Sequence, residues 1–360
     1  MNTLAANLPA GAAPAARAWQ PKGLAIIFLT EMWERFSYYG MRALLVLYLV
    51  NALGYKREDA LEMYGIYTGL VYVTPLIGGW IADRWLGMRM AAVIGGIVMM
   101  LGHFAMAVPS MLHVALGLLI VGNGFFKPNT STMVGELYDG VDDPRRDGGY
   151  TIFYMGINLG ALFSPLVCGT LGQKLGWHYG FASAGVGMLI GLVTLLSFQS
   201  WLGRAGLRPE QDSVGWKNAP TIGIWAAACV AFVYAALFVA PTISALAATV
   251  KVVLALVVIA AAIWLPGLIS GKKAGDEKLT GAEWKRVVAI CILTMFSIFF
   301  WMGFEQAGGS MNLFADKQTA RTMFGWDVPS SWFQSINPFA ILLFAPVFAT
   351  IWTALNKSRF

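Results

Sequence analysis

The sequence predicts an all-α protein threaded repeatedly through a membrane, and three observations carry that reading. Hydrophobic residues form 58% of the chain and charged residues 12%, far from the balance of a soluble domain. Apolar runs long enough to cross the hydrocarbon, roughly 20 residues each, follow one another with short polar links between them. The cations collect in every second link, as the positive-inside rule requires of a polytopic chain.

The runs lie at 23–51, 60–83, 90–108, 112–136, 148–172, 177–202, 220–240, 245–269, 286–307 and 331–355. Each is continuous rather than a ten-residue alternation, so each reads as a helix that satisfies its own backbone in lipid and not as a barrel strand. Residues 1–22, rich in Ala and Pro, read as a disordered cytoplasmic lead-in. They are not a signal peptide, because the run that follows carries Glu31, Glu34 and Arg35, which a cleaved apolar core excludes. Links assigned alternately to the two faces place 16 Lys and Arg on the N-terminal face and five, Lys56, Arg57, Lys174, Lys317 and Arg321, on the other. That excess puts the N-terminus in the cytoplasm.

Charge also divides the runs into groups. Two longer links, 203–219 and 270–285, bracket the runs 220–240 and 245–269, which hold Lys251 near one end and otherwise no charge. The order reads as a six-helix N-terminal bundle over 23–202, a cytoplasmic linker over 203–219, an inserted transmembrane hairpin over 220–269, a second cytoplasmic linker over 270–285, and the start of a second bundle over 286–360. Gly65 with Gly69, and Gly156 with Gly160, offer small faces for close helix packing, although glycine is common in membrane helices in any case.

Several function classes fall away. The net charge of +6 resides in the links, where orientation explains it and nucleic acid is not needed. Cys168, Cys229 and Cys291 lie in apolar runs without ligand spacing, and His103, His113 and His178 are scattered, so neither a metal site nor a disulfide framework is expected. A membrane enzyme or a sensor would need a catalytic constellation or a polar output domain, and the sequence holds neither. A channel would need a repeated pore-lining segment. Lys127 follows Gly122 and Gly124, but the Walker spacing is absent and Pro128 takes the hydroxyl position, which removes nucleotide binding. Pro128 is expected instead to kink its helix.

The chemistry lies in charge at membrane depth, where an ionised side chain is costly unless it pairs or lines a wet cavity. Glu31, Glu34, Arg35 and Lys127 are in run interiors, and Glu305 is near the end of its run. At 100° per residue Glu31, Arg35, Tyr38 and Arg42 share one stripe of the first helix, with Glu34 and Tyr39 flanking it. Lys127 suits either a partner for the first-helix carboxylates or a holder of an anion. A structural bridge between helices remains the other reading of such charges.

Glu31-Met32-Trp33-Glu34-Arg35-Phe36-Ser37-Tyr38-Tyr39-Gly40 resembles the E-x-x-E-R-F-x-Y-Y-G signature of proton-dependent oligopeptide transporters, a branch of the major facilitator superfamily. Gly79 to Arg89 resembles the superfamily loop between its second and third helices. Phe153-Tyr154-Met155-Gly156-Ile157-Asn158-Leu159-Gly160, Phe304-Glu305-Gln306-Ala307-Gly308 and Gln334-Ser335-Ile336-Asn337-Pro338 resemble motifs of the fifth, seventh and eighth family helices. The charge-poor pair of runs matches the extra hairpin of bacterial members. The family has twelve helices besides that hairpin, so this chain is expected to hold helices seven and eight of the second bundle and to lack the last four.

The resemblance implies a major facilitator-type fold and a symporter that imports di- and tripeptides with protons by alternating access, driven by the proton gradient with no cofactor. Its expected partners are small peptides, protons and membrane lipid; it is expected to be a monomer of the cell inner membrane. Arg35 and Lys127 would hold the peptide carboxylate, the first as a planar fork and the second as a point charge. Tyr39, Tyr72, Asn158 and Asn337 would bond the peptide backbone. Glu31, Glu34 and Glu305 would couple protons, with Glu305 facing Arg35 across the outer opening. Asp83 and Arg84 would latch the cytoplasmic side. A facilitator-type carrier of another small solute, a drug, a sugar or nitrate, is the alternative.

Overall fold

The structure, a computed structural model, describes residues 19–207 and 281–357. The lead-in up to residue 18, the hairpin expected at 220–269 with its Cys229 and Lys251, and most of both linkers lie outside the described residues. Six long helices form the first part: α1 (Lys22–Asn51), α2 (Arg57–Ile81), α3 (Met88–Met106), α4 (Leu112–Glu136), α5 (Arg146–Thr170) and α6 (Trp177–Ser197). Three more follow: α7 (Gly281–Phe304), the short α8 (Ser310–Lys317) and α9 (Ile336–Lys357).

Seven described helical stretches are long and apolar enough to cross a membrane. α1 is not among them, although its 30 residues would extend about 45 Å. The reason is its composition: Glu31, Glu34, Arg35 and Arg42 interrupt its centre. α1 is instead clothed by protein, packing on α5 and α6 while α3 packs on α4 and α6 and α2 on α4.

α2 and α5 end alike. Each widens into a π-helical turn, Ala82–Leu86 and Leu171–Leu175, and stops at a glycine of positive φ, Gly87 at 77° and Gly176 at 143°. The glycine N–H returns to the carbonyl five residues back, Ala82 at 2.8 Å and Leu171 at 3.0 Å. A left-handed residue there releases α3 and α6 to run back antiparallel at no steric cost.

The two glycine pairs read from the sequence behave differently. Gly160 sits against the Met32 carbonyl and Gly156 against the Phe28 ring, so α1 and α5 pack backbone to backbone at the first and backbone to side chain at the second, with no room for a Cβ. Gly65 and Gly69 face open space among the described residues, and the expected packing face on α2 is corrected accordingly. The close approach of α2 is made by Gly78, which lies on the Gly124 carbonyl of α4. Pro128, lacking an N–H, leaves that carbonyl without its helical donor. α4 nevertheless continues through Pro128 to Glu136. The Gly78 backbone covers the freed oxygen, and Thr74 Oγ1 donates across to the Ile120 carbonyl at 2.9 Å.

The face remote from the N-terminus is closed by elements the sequence reading does not anticipate. After α7 a 3-10 turn (Glu305–Gly308) leads into α8, then a two-stranded hairpin, β1 (Thr322–Met323) with β2 (Trp326–Asp327), and a second 3-10 turn (Ser330–Ser335) into α9. Polar side chains tie this segment to α1 and α5. Asn312 Nδ2 donates to the Ala43 carbonyl at 2.8 Å, Trp332 Nε1 to Thr170 Oγ1 at 2.9 Å and Ser335 Oγ to the Leu162 carbonyl at 2.7 Å. Asp316 accepts from Asn51 at 3.0 Å and from Ser330 at 3.1 Å.

Candidate functional site

A cavity of about 410 Å³ opens between α1, α2, α4, α5, α7 and α9, within the usual range for small-molecule sites. It brings together eight of the eleven site residues read from the sequence: Glu31, Arg35, Tyr39, Tyr72, Lys127, Asn158, Glu305 and Asn337 all line it. Glu34 lies just behind, fully buried against Arg35. Asp83 and Arg84 are elsewhere, exposed in the π turn after α2, with the Arg84 guanidinium 5.3 Å from the Trp80 ring centre.

The α1 stripe sets up the first cluster. Arg35 Nε lies 3.1 Å from Glu31 Oε1 and is also in contact with Glu34 Oε2. α4 supplies the remaining partners: Thr130 donates to Glu31 Oε2 at 2.9 Å and Asn123 to Glu34 Oε1 at 3.5 Å. Two carboxylates thus share one guanidinium, and Arg35 Nη2 is buried with no hydrogen-bond partner among the described residues. Such a donor is costly to leave unmet, and it belongs to a side chain that lines the cavity.

Lys127 does not pair with those carboxylates. Its Nζ stands 4.8 Å from the Tyr72 ring centre, a cation–π arrangement that leaves the ammonium protons to the cavity. The expected ion pair is corrected: Thr130 and Asn123, on the same face of α4 at three and four residues from Lys127, take the carboxylate oxygens in its place.

The second cluster corrects the expected partner of Glu305. Arg42, not Arg35, meets it, at 2.7 Å from Nη2 to Oε2. The physical reason is position along α1. Arg35 is held by its two carboxylates, while Arg42, seven residues or about 10 Å further along, is level with the turn that ends α7. Tyr64 OH accepts from Arg42 Nε at 2.7 Å and donates to the Glu305 carbonyl at 3.3 Å. Tyr72 OH donates to Glu305 Oε1 at 3.2 Å. Arg42 and Tyr64 are thus site residues that the sequence reading missed; the signal for Arg42 was its place on the charged stripe, whereas nothing marked Tyr64 among the tyrosines of α2.

Asn158 spends its amide in its own helix, donating to the Tyr154 carbonyl at 2.9 Å, rather than bridging to another. On the N-terminal face Arg89 donates to the carbonyls of Gly203 at 3.0 Å and Ala205 at 3.2 Å, and Glu136 accepts from Gly206 N–H at 2.6 Å. Between α4 and α5, outside the spans, Arg145 holds Asp143 by its guanidinium and backbone N–H, which keeps the Asp143 carboxyl well below the usual carboxylate range.

Comparison with known proteins places this geometry in a family. A sequence model of the POT family matches residues 89–359. The chain is 40% identical over 348 residues to an uncharacterised transporter, YclF, of Bacillus subtilis, covering 94% of this chain and 69% of the relative. It is 37% identical to the peptide transporter YePEPT of Yersinia enterocolitica, covering 94% and 68%. It is also 37% identical to a di-/tripeptide transporter of Lactococcus lactis, covering 94% and 71%. Among solved structures it superposes on a peptide transporter POT in complex with sulfate at TM-score 0.77 and 40% identity, covering 94% and 70%. On a POT family transporter in complex with 5-aminolevulinic acid it gives 0.78 at 34% identity, covering 94% and 72%.

Proposed function

The chain belongs to the POT family, a family of multi-pass membrane transporters and not of enzymes, and we propose that it imports di- and tripeptides together with protons by alternating access. The observation that carries the reading is the cavity wall: two cations with uncommitted donors, Arg35 Nη2 and the Lys127 ammonium, beside two carboxylates that share one guanidinium. Arg35 and Lys127 hold the peptide carboxylate. Tyr39, Tyr72 and Asn337 bond its backbone, and Asn158 offers its amide oxygen. Side chains of the peptide meet mixed apolar and aqueous walls, so sequence selectivity is weak.

Proton coupling follows from partner exchange. When a substrate carboxylate takes Arg35, Glu31 and Glu34 lose the cation they share, and a carboxyl that loses its cation in a dry site gains a proton more readily. Glu305 likewise loses its cation when Arg42 leaves it. The bonds from residues 305–335 to α1 and α5 close the far face in this state, and opening that face breaks them as the two parts of the protein rock about the central site. Asp83 and Arg84 act at the opposite face. The N-terminus is cytoplasmic, the membrane is the cell inner membrane, and the working unit is a monomer.

The test is uptake of labelled dipeptide into proteoliposomes with an imposed inward proton gradient. Accumulation that a protonophore abolishes, and that excess dipeptide but not sugars, nitrate or organic cations inhibit, is the expected result. Gradient-independent uptake, or competition by sugars, overturns it.

A further inference from the structure

A second cavity, of about 460 Å³, lies at the N-terminal face between the end of α4 and the start of α5. Its wall includes Ser131, Thr132, Gly135, Glu136, Arg146 and Tyr150. Ser131 also lines the central cavity, so one residue of α4 stands on the wall of both spaces. From Lys127 to Gly135 is eight residues, about 12 Å along the helix axis, the length of a short peptide.

The cations near this cavity are not equivalent. Arg145 is bound to Asp143 at 2.7 Å, and Arg89 to backbone carbonyls. The Glu136 carboxylate is engaged by the Gly206 N–H. Arg146 has no carboxylate within ion-pair distance among the described residues, and its Nε is buried without a hydrogen-bond partner there. Its guanidinium lies 5.5 Å from the Tyr150 ring centre, which orients the planar fork. Gly135 makes the space: a Cβ there would come within 2.8 Å of Tyr150 OH and 3.1 Å of Arg146 Nη2. The hydroxyls of Ser131, Thr132 and Tyr150 donate to backbone carbonyls, so the guanidinium is the group on this wall with an unmet donor, and a guanidinium matches a carboxylate better than a neutral group.

We propose that this cavity is a second carboxylate-binding station on the release route, where Arg146 receives the C-terminal carboxylate of a peptide that has left Arg35 and Lys127. The inference rests on the peptide-import reading and adds to it a second subsite for the same end of the substrate. No covalent step is involved; the carboxylate exchanges one set of cationic donors for another as the peptide moves toward the N-terminal face.

The experiment uses the full chain, with one orientation selected in phosphatidylcholine liposomes. Half-saturating concentrations are measured for exchange of a dipeptide and of its C-terminal amide applied at each face. In Arg146→Gln the free acid's half-saturating concentration at the N-terminal face rises about three- to tenfold relative to that at the far face, with the amide unaffected. Arg146→Lys, which keeps charge without the fork, falls between. A rise equal for acid and amide, or equal at both faces, overturns the station. So does an effect that appears only when phosphatidylglycerol is added, since the occupant is then a lipid headgroup. A wild type that exchanges no dipeptide from either face fails the import reading itself; normal wild-type exchange with no change in Arg146→Gln fails the station alone.

Discussion

Arg42 and Glu305 meet at 2.7 Å across 263 positions of the chain, and Tyr64 and Tyr72 bond to the same pair from α2. A single carboxylate thus joins α1, α2 and the end of α7 at the far rim of the cavity. Its side chain is 21% exposed, so water and protons reach it.

Glu305→Gln keeps hydrogen bonding to Arg42 and Tyr72 but removes the titratable proton. Counterflow exchange is expected to survive and gradient-driven accumulation to fail. Equal loss of both would mark Glu305 as a structural strut. Arg42→Ala leaves the carboxylate with Tyr72 alone, at a cost of about 1–3 kcal/mol to the closed rim.

Asp316 joins α1 and the 3-10 turn before α9 through Asn51 and Ser330. Asp316→Ala removes both bonds, each worth about 1 kcal/mol, and also the contact of Arg321 Nη2 with Asp316 Oδ1 at 3.3 Å within the same segment. The equilibrium should shift toward opening of the far face by about fivefold per bond. In a cysteine-free background, a reporter cysteine at Ala161, which lines the cavity, is expected to react faster with an impermeant thiol reagent added from that face. An unchanged rate would show that the latch does not control opening.

The glycine contacts separate packing from composition. Gly160→Ala forces a methyl group into the Met32 carbonyl, an overpacking that typically costs about 1–3 kcal/mol. Gly69→Ala meets open space and replaces a poor helix former, so it should be neutral or stabilising by up to about 1 kcal/mol. Thermal unfolding in detergent ranks them; a lower midpoint for Gly69→Ala than for Gly160→Ala would contradict the packing of α1 on α5.

Much of this was legible in the sequence because membrane helices declare themselves by length and hydropathy, and charges inside them are conspicuous. The stripe of Glu31, Arg35 and Arg42 and the place of Lys127 could be read from spacing alone. Pairing could not. Whether Glu305 meets Arg35 or Arg42 depends on how far up α1 the end of α7 docks, a tertiary quantity. Likewise Gly65 and Gly69 match Gly156 and Gly160 in spacing, and only the azimuth of α2 decides that the first pair faces away from the described helices. The residues that close the far face are short polar pieces in α8 and the 3-10 turns, with no periodicity to reveal them.

Asp143 lies outside the spans, and its carboxyl is held well below its ordinary value by the Arg145 hydrogen bonds. A depressed folded value means the pair supports the α4–α5 loop at every pH above the unfolded carboxylate value of about 3.9. That support fades only as pH falls below it. The transport pH profile between 5 and 8 should therefore be the same in Asp143→Asn as in wild type, while hydrogen exchange in residues 138–147 accelerates. A shifted profile would place a coupling proton in this loop.

Lys127 and Arg35 supply the sharpest test of the central site. Lys127 stands over Tyr72 with no carboxylate in contact, and Arg35 has an unmet Nη2, so a substrate carboxylate gains donors without first displacing an ion pair on the lysine. A charge-assisted bond is worth about 1.5–3 kcal/mol, so wild type should bind a dipeptide at least about tenfold more tightly than its C-terminal amide. Lys127→Ala and Arg35→Lys should each erase most of that preference, the second because the charge remains while the fork is lost. They should differ in coupling. Lys127→Ala leaves the Arg35 cluster intact and costs chiefly acid affinity, whereas Arg35→Lys disturbs Glu31 and Glu34 directly and should also lower gradient-driven accumulation. Equal wild-type binding of acid and amide would remove the carboxylate clamp. If the preference survives in both variants, neither cation reads the carboxylate, and their roles reduce to the contacts of Arg35 with Glu31 and Glu34 and of Lys127 with Tyr72.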